Sequence, residues 1–393
     1  MAIRTQVGIV GAGPAGLLLS HLLHLDGITS VIIEARSRDY VEHRVRAGVL
    51  EHGPVELLKR AGVGERLMRE GLQHHGIELR FGGRPHRIDF PSLTGGRSIT
   101  VYGQQEVVKD LIRARLDAGG TIEFDATEVS VHNVGSATPR IRFRKDGAAD
   151  EVACDVIAGC DGFHGICRPG IPDFERSVFE RAYPFAWLGI LAQAAPTRDE
   201  LIYANHERGF ALYAMRSREI TRLYLQVPPD EDIADWPDER IWRELHTRLE
   251  IGDGWTLNEG PVLEKGITPM RSYVCEKMQH GNLYLAGDAA HIVPPTGAKG
   301  MNLAIADVHV LSRALAAFFR TGNRDALDSY SATCLKRVWR AEHFSWWMTS
   351  MLHRFPDDDG FQQRLQRSQL DYTVASPAAA ASLAENYVGL PLS

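Results

Sequence analysis

Three short motifs in this 393-residue chain carry residues of the kind that hold a nucleotide. Gly11-Ala-Gly13-Pro-Ala-Gly16 follows an apolar run, Val7 to Val10, and opens a segment, Pro14 to Leu25, whose apolar residues recur at helical spacing. In that setting glycines let backbone amides approach a pyrophosphate, and the helix start directs partial positive charge at it. Glu34 ends the next apolar run, Val31 to Ile33, where a carboxylate can accept from ribose hydroxyls. Strand, glycine turn, helix and distal acid in this order point to a dinucleotide, either FAD or a nicotinamide nucleotide. Asp161-Gly162 and Gly287-Asp288 close two later apolar runs, and each taken alone is an ordinary turn. Gly297-Ala298-Lys299-Gly300 precedes a long helical pattern whose first amides can face developing negative charge. For Lys299 itself, a solvated lysine at a helix start is an equal reading.

These motifs require an α/β frame to bring them together. Val7 to Ile33 reads as a βαβ opening, Gln104 to Ala118 as a helix, and Glu128 to Asn133 with Arg140 to Arg144 as an antiparallel ribbon. Asp155 to Ala158 and Leu283 to Ala286 read as further buried strands, and Ala298 to Phe319 and Leu327 to Leu352 as long helices. Between them, FAWLGILAQ, LIYAN, GFALYAM and TRLYLQV are rich in aromatic and β-branched residues and predict an antiparallel sheet of their own. The expected division is a nucleotide domain over 1–175 with an inserted ribbon, a sheet domain over 176–275, and a return of the first domain with a helical region over 276–393.

Composition narrows the function classes. A 44% hydrophobic, 24% charged chain with net charge −6 has no electrostatic footprint for nucleic acid. No run approaches the ~20 apolar residues that cross a bilayer, and the N-terminus enters a strand pattern at once, so a cytoplasmic, membrane-free protein is expected. Five cysteines without a CxxC pair favour neither a disulfide framework nor a metal site.

Taken together, GAGPAG, AGCDGFHG and LAGDAAHIVPP resemble the three-part signature of the FAD-dependent aromatic hydroxylases, the class A flavoprotein monooxygenases. The likeness extends over nearly the whole chain through YVEHRVRAGVLE, LIYANHERGFAL, GAKGMNLA, FSWWMTSMLHRFPD and AENYVGLP. It implies a mixed α/β and α+β fold: a Rossmann-like FAD-binding domain, a β-sheet substrate domain and a helical C-terminal part. It also implies an enzyme that takes hydride from a nicotinamide cofactor, adds O₂ to form a C4a-hydroperoxyflavin, and converts 4-hydroxybenzoate to 3,4-dihydroxybenzoate.

By the same resemblance, FAD contacts are Gly11, Gly13, Gly16, Glu34, the loop Arg44, Val45, Arg46, Ala47, Gly48 and Val49, then Gln104, Asp161, Asp288, Lys299, Met301 and Asn302. A free phenol has a pKa near ~10, so a hydroxylase of this kind must hold the phenolic oxygen and conduct its proton away. Tyr203 and Tyr387 match the two tyrosines that do so, and His74 the outer member of their proton relay. Pro295 should present a free backbone carbonyl near the ring, with Thr296 and Asn302 close by. Arg216 matches the clamp on the substrate carboxylate and Tyr224 a second contact to it. Ala214, beside Met215, replaces a serine donor found in the family's best-known member, a loss of ~1 kcal/mol that would broaden the acids accepted. Arg222 matches an arginine that supports flavin movement.

No second GxGxxG is present for the nicotinamide donor. The resemblance gives it a surface groove with His164, Arg168 and Arg271, and a short helix with Arg36, Arg38 and Tyr40. NADPH-selective members carry arginine directly after the glutamate, where this chain has Ala35, but Arg36, Arg38 and Tyr40 can still meet a 2′-phosphate, so NADPH is expected, with appreciable use of NADH as well. Homodimers are the family's usual form. The rival readings are an FAD hydroxylase of another phenolic or aminobenzoic acid, and a flavoprotein without monooxygenase turnover.

Overall fold

In the computed structural model, which describes residues 3–46, 48–252 and 254–392, the apolar runs Val7–Val10, Ser30–Ile33, Val156–Gly159 and Leu283–Leu285 form neighbouring parallel strands of one six-stranded sheet. Three of these four strands are buried along their whole length, and Ser30–Ile33 is buried at all but its first residue. That explains why they read as continuous hydrophobic segments rather than alternating ones. Helix Pro14–Leu25 crosses from the first strand to the second and packs on helices Gln104–Asp117 and Gly300–Thr321.

The ribbon of Thr127–His132 and Arg140–Lys145 is antiparallel as expected, and it continues through Ala148–Ala153 to the N-terminal pair Ile3–Arg4. The aromatic strands Val178–Ala192, Leu201–Ala204, Ala211–Met215 and Thr221–Val227 lie at the centre of an eight-stranded sheet. That sheet also takes in Gly76–Phe81 and Arg84–Asp89 from the first third of the chain, through a parallel pairing of Leu201–Ala204 with Ile77–Arg80. Val262–Cys275 and His291–Ile292 complete its other edge.

Two helices differ from the sequence reading. The helix expected from Ala298 starts at Gly300, because Ala298 sits in the left-handed region at φ 53° and closes a 3₁₀ turn over Pro295–Gly297. The helix expected over Leu327 to Leu352 is a short turn, Asp325–Asp328, followed by Tyr330–Leu352. Helix Gly300–Thr321 is also long and apolar enough to cross a membrane, contrary to the expectation that no segment is. Two-thirds of its most apolar stretch is buried inside the protein, as befits a core helix.

Candidate active site

Strand order brings the three motifs together. Leu283–Leu285, Val156–Gly159 and Val7–Val10 are adjacent and parallel, so Gly287-Asp288, Asp161-Gly162 and Gly11 to Gly16 emerge side by side at their carboxyl ends, the edge where open α/β sheets bind ligands. The junctions are bonded: Gly11 N donates to Ile33 O at 2.8 Å, Cys160 N to Val10 O at 2.8 Å and Ala286 N to Gly159 O at 3.0 Å.

Each glycine of the fingerprint has its own reason. Gly11 has φ 103°, and a Cβ there would strike the Cys160 carbonyl. A Cβ on Gly16 would strike the Gly11 carbonyl where helix packs on strand. Gly13 caps helix Pro14–Leu25 and faces open space, so its lack of a side chain serves whatever approaches from outside. Glu34 stands beside it, accepting from Ala12 N at 2.7 Å and Arg36 N at 2.8 Å. Asp161 accepts from Cys167 N at 2.8 Å through one carboxylate oxygen, while the other is buried without a partner. Burial pushes its carboxyl above the ordinary range.

Asp288 is open to solvent yet hemmed in by protein, the situation of a group in a deep cleft. Burial raises its carboxyl, opposed by His291, Arg46 and Arg44. Burial and Arg44 pull the Arg46 guanidinium down, while Asp288 and Tyr224 oppose the shift, so this exposed loop lies near both Asp288 and the aromatic sheet. Gly48 fits only as glycine because Tyr102 O and Gly103 occupy its Cβ direction, and Val49 pairs with Val101. Gln104 is the first residue of helix Gln104–Asp117, just beyond Gly103. Ala47 lies outside the described residues. An open Gly13 face, an orphaned Asp161 oxygen and a solvent-open Asp288, at the carboxyl ends of three adjacent parallel strands, fit an extended dinucleotide.

On the sheet side, Tyr203 and Tyr387 are buried and their hydroxyls meet at 2.5 Å. Tyr203 also donates to Thr296 O at 3.3 Å. Burial raises both phenols well above their ordinary value, and Tyr387 and Tyr224 add to the rise at Tyr203. Arg216 lies near Tyr224 and His74, with its Nε and Nη1 buried and unpartnered. Burial pulls its guanidinium down, Tyr224 opposing. His74 is buried with both ring nitrogens unpartnered, and burial lowers it to about 4, so the imidazole is neutral at pH 7. Ala214 and Met215 are buried in the strand before Arg216, and Ala214 pairs with Arg222, whose guanidinium lies 5.2 Å from the Tyr224 ring.

Four predicted contacts are otherwise engaged. Lys299 is not solvated: its ammonium is buried, donating to Glu51 Oε1 at 2.6 Å and to the carbonyls of Asn386 and Tyr387. Asn302 accepts from Glu51 N at 2.9 Å and donates to Val49 O and Ala298 O, each at 2.9 Å, so its side chain braces the 49–51 loop. The Thr296 hydroxyl turns to Thr349 at 2.8 Å. The Pro295 carbonyl is not wholly free, since Ala298 N donates to it at 2.9 Å and leaves one lone pair. Met301 follows as the second residue of the helix.

The surface residues fall into two groups. Tyr40 lies between Arg36 at 5.4 Å and Arg44 at 5.7 Å, while Arg38 pairs with Glu42. His164 and Arg271 meet at Phe163, and Arg168 stacks between Phe163 and Tyr273 while donating to Ala289 O and Phe163 O. The sequence reading missed Glu51, Trp187, Thr349 and His353, all buried behind the site. His353 lies within the quoted stretch FSWWMTSMLHRFPD, where only its place among aromatic residues marked it.

The FAD binding domain family matches residues 4–345. A p-hydroxybenzoate hydroxylase of Acinetobacter baylyi is 49% identical over 389 residues, covering 99% of this chain and 96% of that one. A 3-(3-hydroxy-phenyl)propionate/3-hydroxycinnamic acid hydroxylase of Mycolicibacterium gilvum is 25% identical over 83% of this chain and 56% of its own length. Among solved structures, p-nitrophenol 4-monooxygenase from Pseudomonas putida superposes with TM-score 0.81 over 99% of both chains, at 17% identity, a likeness of fold alone.

Proposed function

We infer that this chain, which belongs to the FAD-binding-domain family and within it to the p-hydroxybenzoate hydroxylases, is an FAD-dependent monooxygenase that converts 4-hydroxybenzoate to 3,4-dihydroxybenzoate with NADPH and O₂. The observation that carries the substrate assignment is the pair of buried, unpartnered nitrogens, Nε and Nη1, on the Arg216 guanidinium. A buried cation without a carboxylate is costly and is satisfied by an anionic ligand, for which its planar fork makes two parallel charge-assisted bonds. Tyr224 beside it supplies a further contact. A phenolic acid anchored there reaches toward the second polar feature of the site, the Tyr203–Tyr387 pair.

Bound FAD supplies hydride acceptance and the activation of O₂ to an electrophilic oxygen. Gly13 would hold its pyrophosphate, with Gly11 and Gly16 allowing the strand and helix to close up behind it, while Glu34 would hold a ribose, Asp288 the polyol region, and Arg44 and Arg46 further polar groups. The protein's further task is to make the substrate ring nucleophilic. A phenolate is far more reactive than a phenol, and Tyr203 can accept the phenolic proton as its own, turned from Thr296 O, passes to Tyr387. The 2.5 Å separation of their hydroxyls supports that transfer. His74, neutral and with unoccupied nitrogens, is the proposed outer acceptor. The Pro295 carbonyl keeps a lone pair for the ring hydroxyl. Arg222, stacked on Tyr224, is the proposed aid to flavin movement.

NADPH is the proposed donor, held by His164, Arg168 and Arg271 at Phe163 and by Arg36, Arg38 and Tyr40. A homodimer belongs to the same proposal, supported by helix Gly360–Ala375, which exposes Phe361, Leu365 and Tyr372. A cytoplasmic setting is consistent with five free cysteines. The buried Ala214 favours a second reading in which ring-substituted 4-hydroxybenzoates are also accepted.

The deciding assay mixes purified flavoprotein with 4-hydroxybenzoate, O₂ and NADPH or NADH, and measures coenzyme oxidation, peroxide and 3,4-dihydroxybenzoate. Coenzyme consumption that yields only peroxide would overturn the substrate assignment. Tyr203→Phe should keep FAD and substrate binding yet divert most oxidation to peroxide, and normal hydroxylation by that variant would defeat the proton-transfer argument.

A further inference from the structure

We propose that the last turn of helix Tyr330–Leu352, with His353 just beyond it, forms a rigid rear wall that fixes the separation between the two ends of the substrate site, and that His353 is a positioning residue for substrate recognition. The inference rests on the reading of this site as one for a phenolic acid.

His353 is fully buried and its tautomer is dictated by its neighbours. The Trp187 indole can only donate, so His353 Nε2 accepts from it at 2.7 Å, and Nδ1 must carry the proton it donates to Thr349 O at 3.0 Å. Burial holds the imidazole down to about 3, which keeps it neutral throughout the working range. The ring is stacked on Phe210 at 4.2 Å and Phe185 at 4.7 Å.

Two arms run forward from this point. Toward the carboxylate end, Trp187 packs on Tyr224 at 4.8 Å. Toward the phenol end, Thr349 donates its hydroxyl proton to Ser345 O at 2.7 Å, so the Thr296 hydroxyl must be the donor in their 2.8 Å bond. Thr296 then offers its carbonyl to Tyr203 OH at 3.3 Å. Phe210 sits between the arms, touching Trp187 at 5.2 Å and Tyr203 at 6.2 Å. One helical turn thus braces Tyr224 and Tyr203 together. A hydroxybenzoate is rigid, so a fixed separation between its two anchors discriminates para from meta placement of the hydroxyl.

The test uses the FAD-loaded protein and reads substrate affinity from the change in flavin absorbance. His353→Leu leaves the Trp187 indole donor unpaired and removes the ring bond to Thr349 O, which keeps the backbone N of residue 353 at 3.0 Å. It should weaken 4-hydroxybenzoate binding by about tenfold, because Trp187, deprived of its buried acceptor, no longer holds Tyr224 in place at the carboxylate end. The preference over 3-hydroxybenzoate should shrink with it. His353→Gln, which can accept from Trp187 and donate to Thr349, should restore affinity to within about threefold of wild type. Thr349→Val keeps the volume but removes the hydroxyl under Thr296, and should raise the peroxide share of NADPH oxidation with affinity nearly unchanged. Unaltered para preference in His353→Leu, or unaltered coupling in Thr349→Val, overturns the proposal. If His353→Leu does not fold, the Thr349→Val coupling alone decides. A wild-type protein whose flavin does not respond to 4-hydroxybenzoate overturns the underlying functional reading instead.

Discussion

Arg216 shows how a residue can weaken a fold in order to serve a ligand. Its Nε and Nη1 lie buried and unpartnered, and no carboxylate faces them, only Tyr224 and the Arg222 cation. Replacing a buried charge by an apolar side chain of similar volume is often neutral or stabilising. Arg216→Met should therefore leave the melting temperature of the substrate-free protein unchanged or raise it. Substrate affinity should fall by ~2–5 kcal/mol, about 30-fold or more, the cost of truncating one member of a desolvated charge pair. FAD content should be unaffected. Calorimetry and flavin-absorbance titration on one preparation check both halves, and a stability loss that scales with the affinity loss would mark Arg216 as structural.

At the scale of elements, the fingerprint glycines separate a packing role from a binding role. Gly16→Ala drives a Cβ into the Gly11 carbonyl beneath helix Pro14–Leu25 and should cost ~1–3 kcal/mol of stability, seen as a lowered melting temperature even without FAD. Gly13→Ala meets nothing within the protein, so the FAD-free fold should melt as wild type while FAD affinity, followed by flavin fluorescence, falls sharply. Equal melting points for the two variants would defeat this division. The same contrast explains what the sequence could reveal. Val7–Val10 and Pro14–Leu25 were legible to the residue because each is set by its own apolar pattern and by Gly11 and Pro14 at the boundary. The partners of Leu201–Ala204 were not, since its parallel neighbour Ile77–Arg80 lies more than a hundred residues away and no local signal specifies that pairing. The site divides along the same line. The resemblance supplied Tyr203 and Arg216 by motif. It could not supply the side-chain partners of Lys299 and Asn302, Glu51 and the Val49 carbonyl, which are joined to them only by the tertiary fold.

Across the whole molecule, buried titratable groups pull stability in opposite directions with pH. His353 and His74 are held by burial at about 3 and about 4, against an ordinary value of 6.5. Below pH 6.5 the unfolded chain takes up two protons at these positions that the folded protein refuses, so their contribution to stability falls as pH falls. Glu342 acts the other way: burial among Tyr183, Ser272 and His291 pushes its carboxyl up to about 7, so between pH 7 and 4.5 the folded protein holds a proton that the unfolded chain releases. From pH 6.5 to 4.5 these three groups leave a net excess of one proton in the unfolded state, worth up to ~1.4 kcal/mol per pH unit. His353→Gln should therefore flatten the decline in melting temperature of the FAD-loaded protein between pH 6.5 and 5. Glu342→Gln should steepen it, because the compensating proton is gone. Thermal unfolding of the three proteins side by side gives the comparison, and parallel declines would show that neither residue keeps in solution the protonation state its burial dictates.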